Sequence, residues 1–231
     1  MTKDNIKEVL LNWTTINQVF KKDEKNIQEN QKRDFKRYTL DSEILNKNID
    51  KNKLLIENEK ERLEYIYFIS TLINSFYSTR MGASRVYQVA EAINKKGPIN
   101  INDTNNIIET INDLTIYYET NNKEKHYRPY SFLSKFFSLH GGRNLPIYDS
   151  RIENTIKLII NKSKENTELY SQNFINKIKP YKNADLKDYK KFKEIVDLIR
   201  NEIGPNKNEN NENISYSKLD QYFWLLWESE I

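Results

Sequence analysis

The sequence predicts an all-α protein. Only 5 glycines and 5 prolines interrupt its 231 residues, and stretches that alternate between apolar and polar residues, as half-buried strands do, are scarce. The hydrophobic fraction is 37%, but 15 tyrosines, 10 phenylalanines and 3 tryptophans supply large surfaces that a core can bury. These observations together predict a folded chain of helices joined by connectors.

Apolar residues at helical spacing predict the helices of the first half of the chain. Glycine marks two of their ends, at Gly82 and at Gly97-Pro98. The predicted elements are a helix over 4–20 (Val9, Trp13, Ile16, Phe20), a charged helix or linker over 21–37, a helix over 54–77 (Leu63, Ile66, Tyr67, Ile73, Tyr77), a helix with Val86, Val89, Ala90 and Ile93, and a helix over 103–119 (Ile107, Ile108, Ile111, Leu114).

The second half follows the same pattern after a polar, basic connector over 120–128. Gly141-Gly142 ends a compact aromatic helix over 129–139, and Ser150 with Glu153 predicts a capping box at the start of the next helix. The remaining elements are that helix (Ile152, Ile156, Ile159, Ile160), a helix over 186–203 (Leu186, Tyr189, Phe192, Ile195, Val196, Ile199), an Asn/Glu loop over 206–213, and a last aromatic helix that Ser217 and Asp220 open (Leu219, Tyr222, Phe223, Trp224, Leu226, Trp227).

The composition excludes several kinds of chemistry. A chain without cysteine has no disulfide, no thiolate zinc site, no thiol nucleophile and no Cys-ligated cluster, and His126 and His140 are too few for a His-based metal centre. The P-loop, G-x-G-x-x-G, G-x-S-x-G and H-E-x-x-H motifs are all missing from the sequence. Because neither a signal peptide nor an apolar run of about 18 residues is found, we expect a cytoplasmic monomer without membrane contact, metal or cofactor.

The positive charge of the chain is concentrated in one stretch. The formal net charge of the protein is +4, and residues 123–151 alone carry six basic and two acidic side chains, so the remainder sums to zero. A local basic stretch in a neutral body indicates a surface for an anion, with DNA or RNA first, although a solvated face is the ordinary alternative. The basic residues are Lys123, Lys125, Arg128, Lys135, Arg143 and Arg151, and the acidic ones are Glu124 and Asp149.

Two residues of this stretch suit the cleavage of a glycosidic bond in DNA. Lys135 lies among aromatic residues of a short helix, where desolvation favours the neutral amine, a nucleophile that forms Schiff bases. Asp149 stands at a helix N-terminus, where the helix dipole favours an ionised carboxylate that can stabilise a sugar cation. The structural alternatives are a lysine that extends its ammonium to the surface and an aspartate that only caps its helix.

Two segments around these residues match a known family. Ser131-Phe132-Leu133-Ser134-Lys135 and Leu145-Pro146-Ile147-Tyr148-Asp149-Ser150-Arg151 resemble the active-site region of the helix-hairpin-helix DNA glycosylases, most of all the 8-oxoguanine glycosylase branch and its small bacterial relatives. The resemblance implies that Lys135 is the Schiff-base nucleophile and Asp149 the essential carboxylate. It also implies a two-lobed helical bundle with the active site in a cleft between the lobes.

Two further segments carry weaker likeness to the family. Leu72 to Arg80 ends a core helix in a polar turn, and the resemblance implies that this turn enters the duplex and fills the gap left by a flipped base. Packing in the core is the alternative for Tyr77 and for the aromatic C-terminal helix. The candidates in the turn are Tyr77, Ser78, Thr79 and Arg80, and those against the extruded base are Phe223 or Trp224.

The chain departs from the family at the hairpin. Family members carry a Leu-Pro-Gly-Val-Gly-like turn that holds a phosphate through backbone N–H groups, whereas residues 120–134 contain no glycine. Either Lys123, Lys125 and Arg128 replace that contact, or the hairpin is degenerate. The resemblance covers roughly residues 65–231, so we expect an N-terminal helical extension over 1–60 and a glycosylase-like domain over 61–231 that form one compact unit.

The leading prediction is therefore a DNA glycosylase, with β-lyase activity because Lys135 is present. Its role would be base-excision repair or defence against foreign DNA with modified bases, and Arg80, Arg128, Arg143 and Arg151 would bind phosphates. The main alternative is a non-catalytic nucleic-acid-binding or interaction module with the same fold. A metal-dependent nuclease ranks lower because the acidic residues are scattered along the chain.

Overall fold

A computed structural model describes most of the chain and divides it into two compact units. The N-terminal unit lies within Arg33–Ile147, and the described residues of the C-terminal unit begin at Tyr148. The structure describes residues 43–77, 79, 81–120, 123–165, 170–203, 214–217, 219, 220 and 223. The helix predicted over 4–20, the charged run over 21–37 and the loop over 206–213 lie outside these residues.

The N-terminal unit is built mainly from helices, as the sequence predicts. Helix α1 packs against α2 and α4, and α3 also packs against α4. In chain order, its elements are a helical segment over 43–48, a 3-10 helix Lys51–Leu55, α1 (Glu59–Phe76), α2 (Ala83–Asn94), α3 (Thr104–Asp113), β1 (Ile116–Thr120), β2 (Lys123–Tyr127) and α4 (Tyr130–His140).

Helix α1 begins where the side chain of Asn58 accepts the backbone N–H of Glu61. This cap occupies one of the free donors at the helix start. The predicted apolar stripe of α1 is confirmed at Ile66 and Ile73, which are buried. It is wrong at Tyr67, which is 37% exposed because it faces Tyr87 of α2 across the surface, with ring centroids 5.5 Å apart.

The predicted helix over 103–119 is wrong in its second half. Asp103 caps α3 by accepting the N–H of Asn106, but the helix ends at Asp113 and the chain continues as strand β1. The connector predicted over 120–128 contains strand β2, which pairs with β1 in antiparallel register, Ile116 opposite Tyr127. β-Branched and aromatic residues favour such a pleated surface, and this tertiary pairing overrides the helical spacing that continues from α3.

Helix α4 begins after Pro129 and forms the buried centre of the N-terminal unit. All of its residues except Ser131 are buried. The predicted break at Gly141-Gly142 is confirmed, and Gly142 adopts a φ of +63°, which glycine reaches without steric cost. The short helix therefore holds its polar residues, including one lysine, inside an aromatic environment.

The C-terminal unit is also helical among its described residues. The stripe predicted for α5 and the apolar residues predicted for 186–203 are all buried, but Leu186 lies in a separate 3-10 helix before α7. Helix α6 and this 3-10 helix are absent from the sequence prediction. The elements are α5 (Ser150–Glu165), α6 (Gln172–Ile178), the 3-10 helix Asn183–Lys187 and α7 (Tyr189–Ile203), and residues 216, 217, 219, 220 and 223 are helical.

None of the helices that the structure describes is both long enough and apolar enough to cross a membrane.

Candidate active site and nucleic-acid interface

Lys135 is a buried lysine on helix α4. Its residue is only 4% exposed, and its Nζ donates a hydrogen bond to Ser131 Oγ, one turn earlier, at 2.8 Å. Phe132 and Phe136 stack on the same helix, with ring centroids 6.2 Å apart. A lysine is almost never this buried without a compensating partner, because the ammonium loses its hydration. The structure thus buries Lys135 on a helix rich in aromatic residues, and the alternative in which its ammonium extends to the surface is not what the structure shows.

A second buried polar group, His140, lies at the end of the same helix. Its Nδ1 donates to the Phe136 carbonyl at 2.8 Å, which fixes the tautomer, so its Nε2 accepts the Tyr65 hydroxyl at 3.0 Å. Tyr65 Oη in turn accepts the backbone N–H of Asp50. Burial lowers the pKa of His140 to about 4, although the bond to Phe136 and the charge of Asp50 act in the opposite direction. His140 is therefore a neutral structural group at neutral pH.

Asp149 caps helix α5. Its Oδ1 accepts the backbone N–H groups of Arg151 and Ile152 at 2.9 and 3.0 Å. The prediction that Asp149 stands at a helix N-terminus is confirmed, but the predicted capping box of Ser150 and Glu153 is wrong. The helix begins at Ser150, so Asp149 is the residue whose side chain reaches the free N–H groups. The cap fixes the position of the carboxylate.

Glu153 belongs instead to a cluster that sequence reasoning missed. Its carboxylate accepts the Tyr148 hydroxyl and forms ion pairs with Lys157 at 2.6 Å and Lys187 at 2.8 Å. Burial would raise the pKa of Glu153, but the hydrogen bonds from Lys157, Lys187 and Tyr148 outweigh it and lower the pKa to about 2. The pair of Glu153 and Lys157 can be predicted from the sequence because they are four residues apart on one helix. Lys187 lies far away in the sequence and reaches Glu153 only through the fold. The cluster fixes the backbone on both sides of Asp149.

The polar turn after α1 is organised by one asparagine. Asn74 Oδ1 accepts the Thr79 hydroxyl and the Met81 N–H, and Asn74 Nδ2 donates to the Met81 carbonyl at 2.9 Å. Tyr77 is half-buried at the end of the helix, and Thr79 is half-buried in the turn. The candidates Ser78 and Arg80 lie outside the described residues. Asn74 is a positioning residue that the sequence prediction did not include.

The predicted basic residues differ in their surroundings. Lys123, Lys125 and Arg128 are exposed, and the Arg128 guanidinium donates to the Asn112 carbonyl at the end of α3. Arg143 is half-buried and adopts a φ of +63°, a conformation that costs a residue with a side chain about 1 kcal/mol or more. Arg151, which is also half-buried, lies in the first turn of α5.

The aromatic candidate of the C-terminal helix is buried. Phe223 is 2% exposed, and its backbone carbonyl accepts the hydroxyl of Thr155 at 3.4 Å. This is the environment that core packing predicts for the residue. Its neighbour Trp224 lies outside the described residues.

The candidate residues are divided between the two units. The N-terminal unit holds Lys135, the turn after α1, the two strands and Arg143, and the C-terminal unit holds Asp149, Arg151 and Phe223. A grouping of three or more His, Asp or Glu side chains able to hold a metal ion was not found within the described part of either unit.

Comparison with known proteins finds similarity to a bacterial protein. A protein of Haemophilus influenzae (strain Rd) described as uncharacterized is 31% identical to the chain over 121 residues, which is 52% of this chain and 44% of that protein. The match thus covers less than half of the relative's length. No family model and no solved structure matches the chain.

Proposed function

We propose that this protein is a DNA glycosylase with Lys135 as its Schiff-base nucleophile, the function that the resemblance of the Lys135 and Asp149 segments implies. One observation carries the proposal: a lysine that is 4% exposed is positioned by Ser131 on a helix of buried aromatic residues. Burial removes hydration from the ammonium, so it favours the neutral amine that a nucleophile requires. The proposal includes the helix-hairpin-helix type of fold and a role in base excision or in defence against modified DNA.

The reaction begins with extrusion of the target nucleotide from the duplex. An enzyme that attacks C1′ must take the base out of the stack, which costs a few kcal/mol, and less for a damaged or mismatched base. The Lys135 amine attacks C1′, the bond between C1′ and the base nitrogen breaks, and the base leaves with the electron pair and a proton. The C1′–O4′ bond then breaks with its electron pair on O4′, which takes the remaining amine proton and becomes a hydroxyl, so the opened sugar is linked to Lys135 as an imine. Loss of a C2′ proton then expels the 3′ phosphate by β-elimination and cleaves the strand.

The carboxylate of Asp149 is the group that would stabilise the positive charge developing on the sugar. Two backbone N–H groups fix it through Oδ1, and the cluster around Glu153 holds the helix that carries it. A preorganised charge of this kind stabilises a transition state without reorganisation at the moment of reaction.

Borohydride trapping tests the proposal directly. Hydride reduces the imine to a stable amine, so the full-length protein is expected to become covalently linked to DNA that contains its target base. Duplexes with oxidised, alkylated, deaminated and hypermodified bases would be compared. Lys135→Met, which keeps a side chain of similar length and is tolerated in an apolar environment, is expected to fold and to lose all trapping.

The matched control is Lys60→Gln, which removes the charge of an exposed lysine on α1. This variant is expected to trap DNA as the wild type does. A Lys135→Met protein that still forms the covalent product, or a wild type that traps none of the duplexes, would contradict the proposal.

A second candidate is a nucleic-acid-binding module without catalysis. The observation that favours it is that capping of α5 already accounts for Asp149 structurally. Such a module would bind DNA, and it would give no covalent product with borohydride on any substrate.

A further inference from the structure

The register of the β1–β2 hairpin separates its charges between two faces. Residues directly opposite in an antiparallel pair lie on the same face, and the faces alternate along each strand. Tyr118 pairs with Lys125 and Thr120 with Lys123, so both lysines lie on the face that also holds Tyr127. The pairing of Tyr117 with His126 and of Glu119 with Glu124 assigns the acidic positions to the other face.

A third cation joins the lysine face from helix α2. The Arg85 guanidinium lies over the rings of Tyr118 and Tyr127, 5.3 and 5.5 Å from their centroids. A guanidinium over aromatic faces is held by its attraction to the ring quadrupole, and the N–H groups along its edge can still donate hydrogen bonds to other partners. Arg85, Lys123 and Lys125 are exposed. We call these five residues, Arg85, Tyr118, Lys123, Lys125 and Tyr127, the cationic face.

The cationic face is also joined to the turn after α1. The hydroxyl of Tyr127 donates to Met81 Sδ at 3.2 Å. Asn74 forms hydrogen bonds with both the backbone N–H and the backbone carbonyl of the same methionine. Burial raises the pKa of Tyr127 to about 12, partly offset by the charge of Arg85, so the phenol stays protonated and keeps this bond. Met81 therefore connects the turn after α1 to the cationic face through hydrogen bonds.

We infer that the cationic face binds the phosphate backbone of duplex DNA and substitutes for the glycine-rich phosphate turn that the sequence lacks; the inference rests on the proposed function. Three cations and no carboxylate position on one face are complementary to a phosphate chain. Residues two apart on a strand are separated by about 7 Å, and a duplex strand places a phosphate every 3.4 Å along its axis, so Lys123 and Lys125 span about two phosphates. A two-stranded ribbon also fits the major groove.

Equilibrium binding to a short unmodified duplex tests the inference. Binding would be measured with the full-length Lys135→Met protein as background, from roughly 50 to 200 mM salt. Each of Lys123→Gln and Lys125→Gln is expected to weaken binding roughly tenfold near 0.1 M salt and to reduce the slope of log K against log salt by about 0.9. Arg85→Lys, which keeps the charge but loses the planar stacking, is expected to weaken binding less than Arg85→Gln.

The opposite face supplies the matched control. Tyr117 is 65% exposed and pairs with His126, which is also exposed, so Tyr117→Ala and His126→Ala change exposed residues of the same two strands. They are expected to leave both the affinity and the salt slope unchanged. Circular dichroism and a thermal melt confirm that each variant is folded.

The outcomes separate this inference from the proposed function. If Lys123→Gln and Lys125→Gln bind as the background protein does, or if the opposite-face variants lose as much, the inference is overturned, whether or not the wild type traps DNA. The same holds if the dependence on the two lysines appears only with duplex RNA. Weakened DNA binding by the cationic-face variants supports the inference even where borohydride traps nothing, a result that overturns only the proposed function.

Discussion

Asp149 has one observed role, as a helix cap, and one proposed role in catalysis, and one substitution can separate them. Its Oδ1 caps α5, a role that depends on a hydrogen-bond acceptor, whereas stabilisation of a sugar cation depends on a negative charge. Asparagine supplies the acceptor without the charge and is as good a cap as aspartate. The structural and the proposed chemical role of this residue are therefore open to independent measurement.

Asp149→Asn is expected to fold with nearly unchanged stability and to lose turnover. The loss of the charge at the helix N-terminus should cost about 0.5 kcal/mol, whereas Asp149→Ala, which removes the cap, should cost about 1 kcal/mol. Denaturant unfolding measures the change in stability, and borohydride trapping measures the loss of turnover. Full trapping by Asp149→Asn would remove the carboxylate from the mechanism.

At the scale of the element, the start of α5 is held by side chains more than by helix propensity. Glu153 lies one turn into the helix and binds Tyr148 before it, Lys157 one turn after it and Lys187 in the 3-10 helix. Lys187 Nζ also donates to Tyr148 Oη at 2.5 Å and lies over its ring. One buried carboxylate thus links α5, Tyr148 ahead of it and the 3-10 helix of the C-terminal unit.

Glu153→Gln is expected to lower the free energy of unfolding by about 1–3 kcal/mol, because the amide keeps the shape but loses the charge-assisted bonds. Urea unfolding of the variant measures this change. The comparison variant is Lys60→Gln, whose exposed ion pair with Glu64 contributes little. Equal stability of Glu153→Gln and the wild type would show that the cluster does not stabilise the fold.

The elements that could be predicted from the sequence are those whose apolar residues repeat at helical spacing. The stripe of Val86, Val89, Ala90 and Ile93 is confirmed because each member faces the core of its own unit. The hairpin was missed because Leu114, Ile116 and Tyr118 continue the apolar residues of α3 without a glycine between them. A usable signal was present, since two asparagines separate the β-branched and aromatic run of β1 from β2.

The candidate site could be predicted in its residue types and less in its contacts. The N-terminal position of Asp149 follows from local sequence because it depends on its own helix, whereas the burial of Lys135 also depends on the packing of α1 and α3 against α4. The contacts of Glu153 with Lys187 and of Arg85 with the hairpin join positions more than 30 residues apart in the sequence. No local pattern encodes such pairs, so only the fold reveals them.

At the scale of the whole molecule, the described part of each unit contains a buried group that responds to acid. His140 in the N-terminal unit has a pKa lowered from 6.5 to about 4, chiefly by burial, so the unfolded chain binds its proton first as the pH falls. The stability that this group contributes is complete above pH 6.5 and is lost as the pH falls toward 4. Glu153 in the C-terminal unit has a pKa lowered from 4.5 to about 2, so its contribution is lost between those values.

Acidification is therefore expected to destabilise the N-terminal unit before the C-terminal unit. Hydrogen exchange followed by mass spectrometry should show faster exchange in α4 than in α5 as the pH falls from 6.5 to 4.5, after correction for intrinsic rates. His140→Gln can still donate and accept a hydrogen bond but does not titrate, so it should reduce the increase in the exchange rate of α4 as the pH falls. Identical responses of the two helices, or no effect of the substitution, would contradict this order.

The connection between the hairpin and α4 is only two residues long, Arg128 and Pro129. The proline ring restricts rotation at one of them, and Arg128 binds the carbonyl of Asn112 on α3. The connection of Arg128 and Pro129 therefore leaves little slack between strand β2 and the first turn of α4, and a displacement of the strand is expected to reach the start of the helix that carries Lys135. Under the proposed function, this short connection would couple binding of the DNA backbone to the orientation of the Lys135 amine.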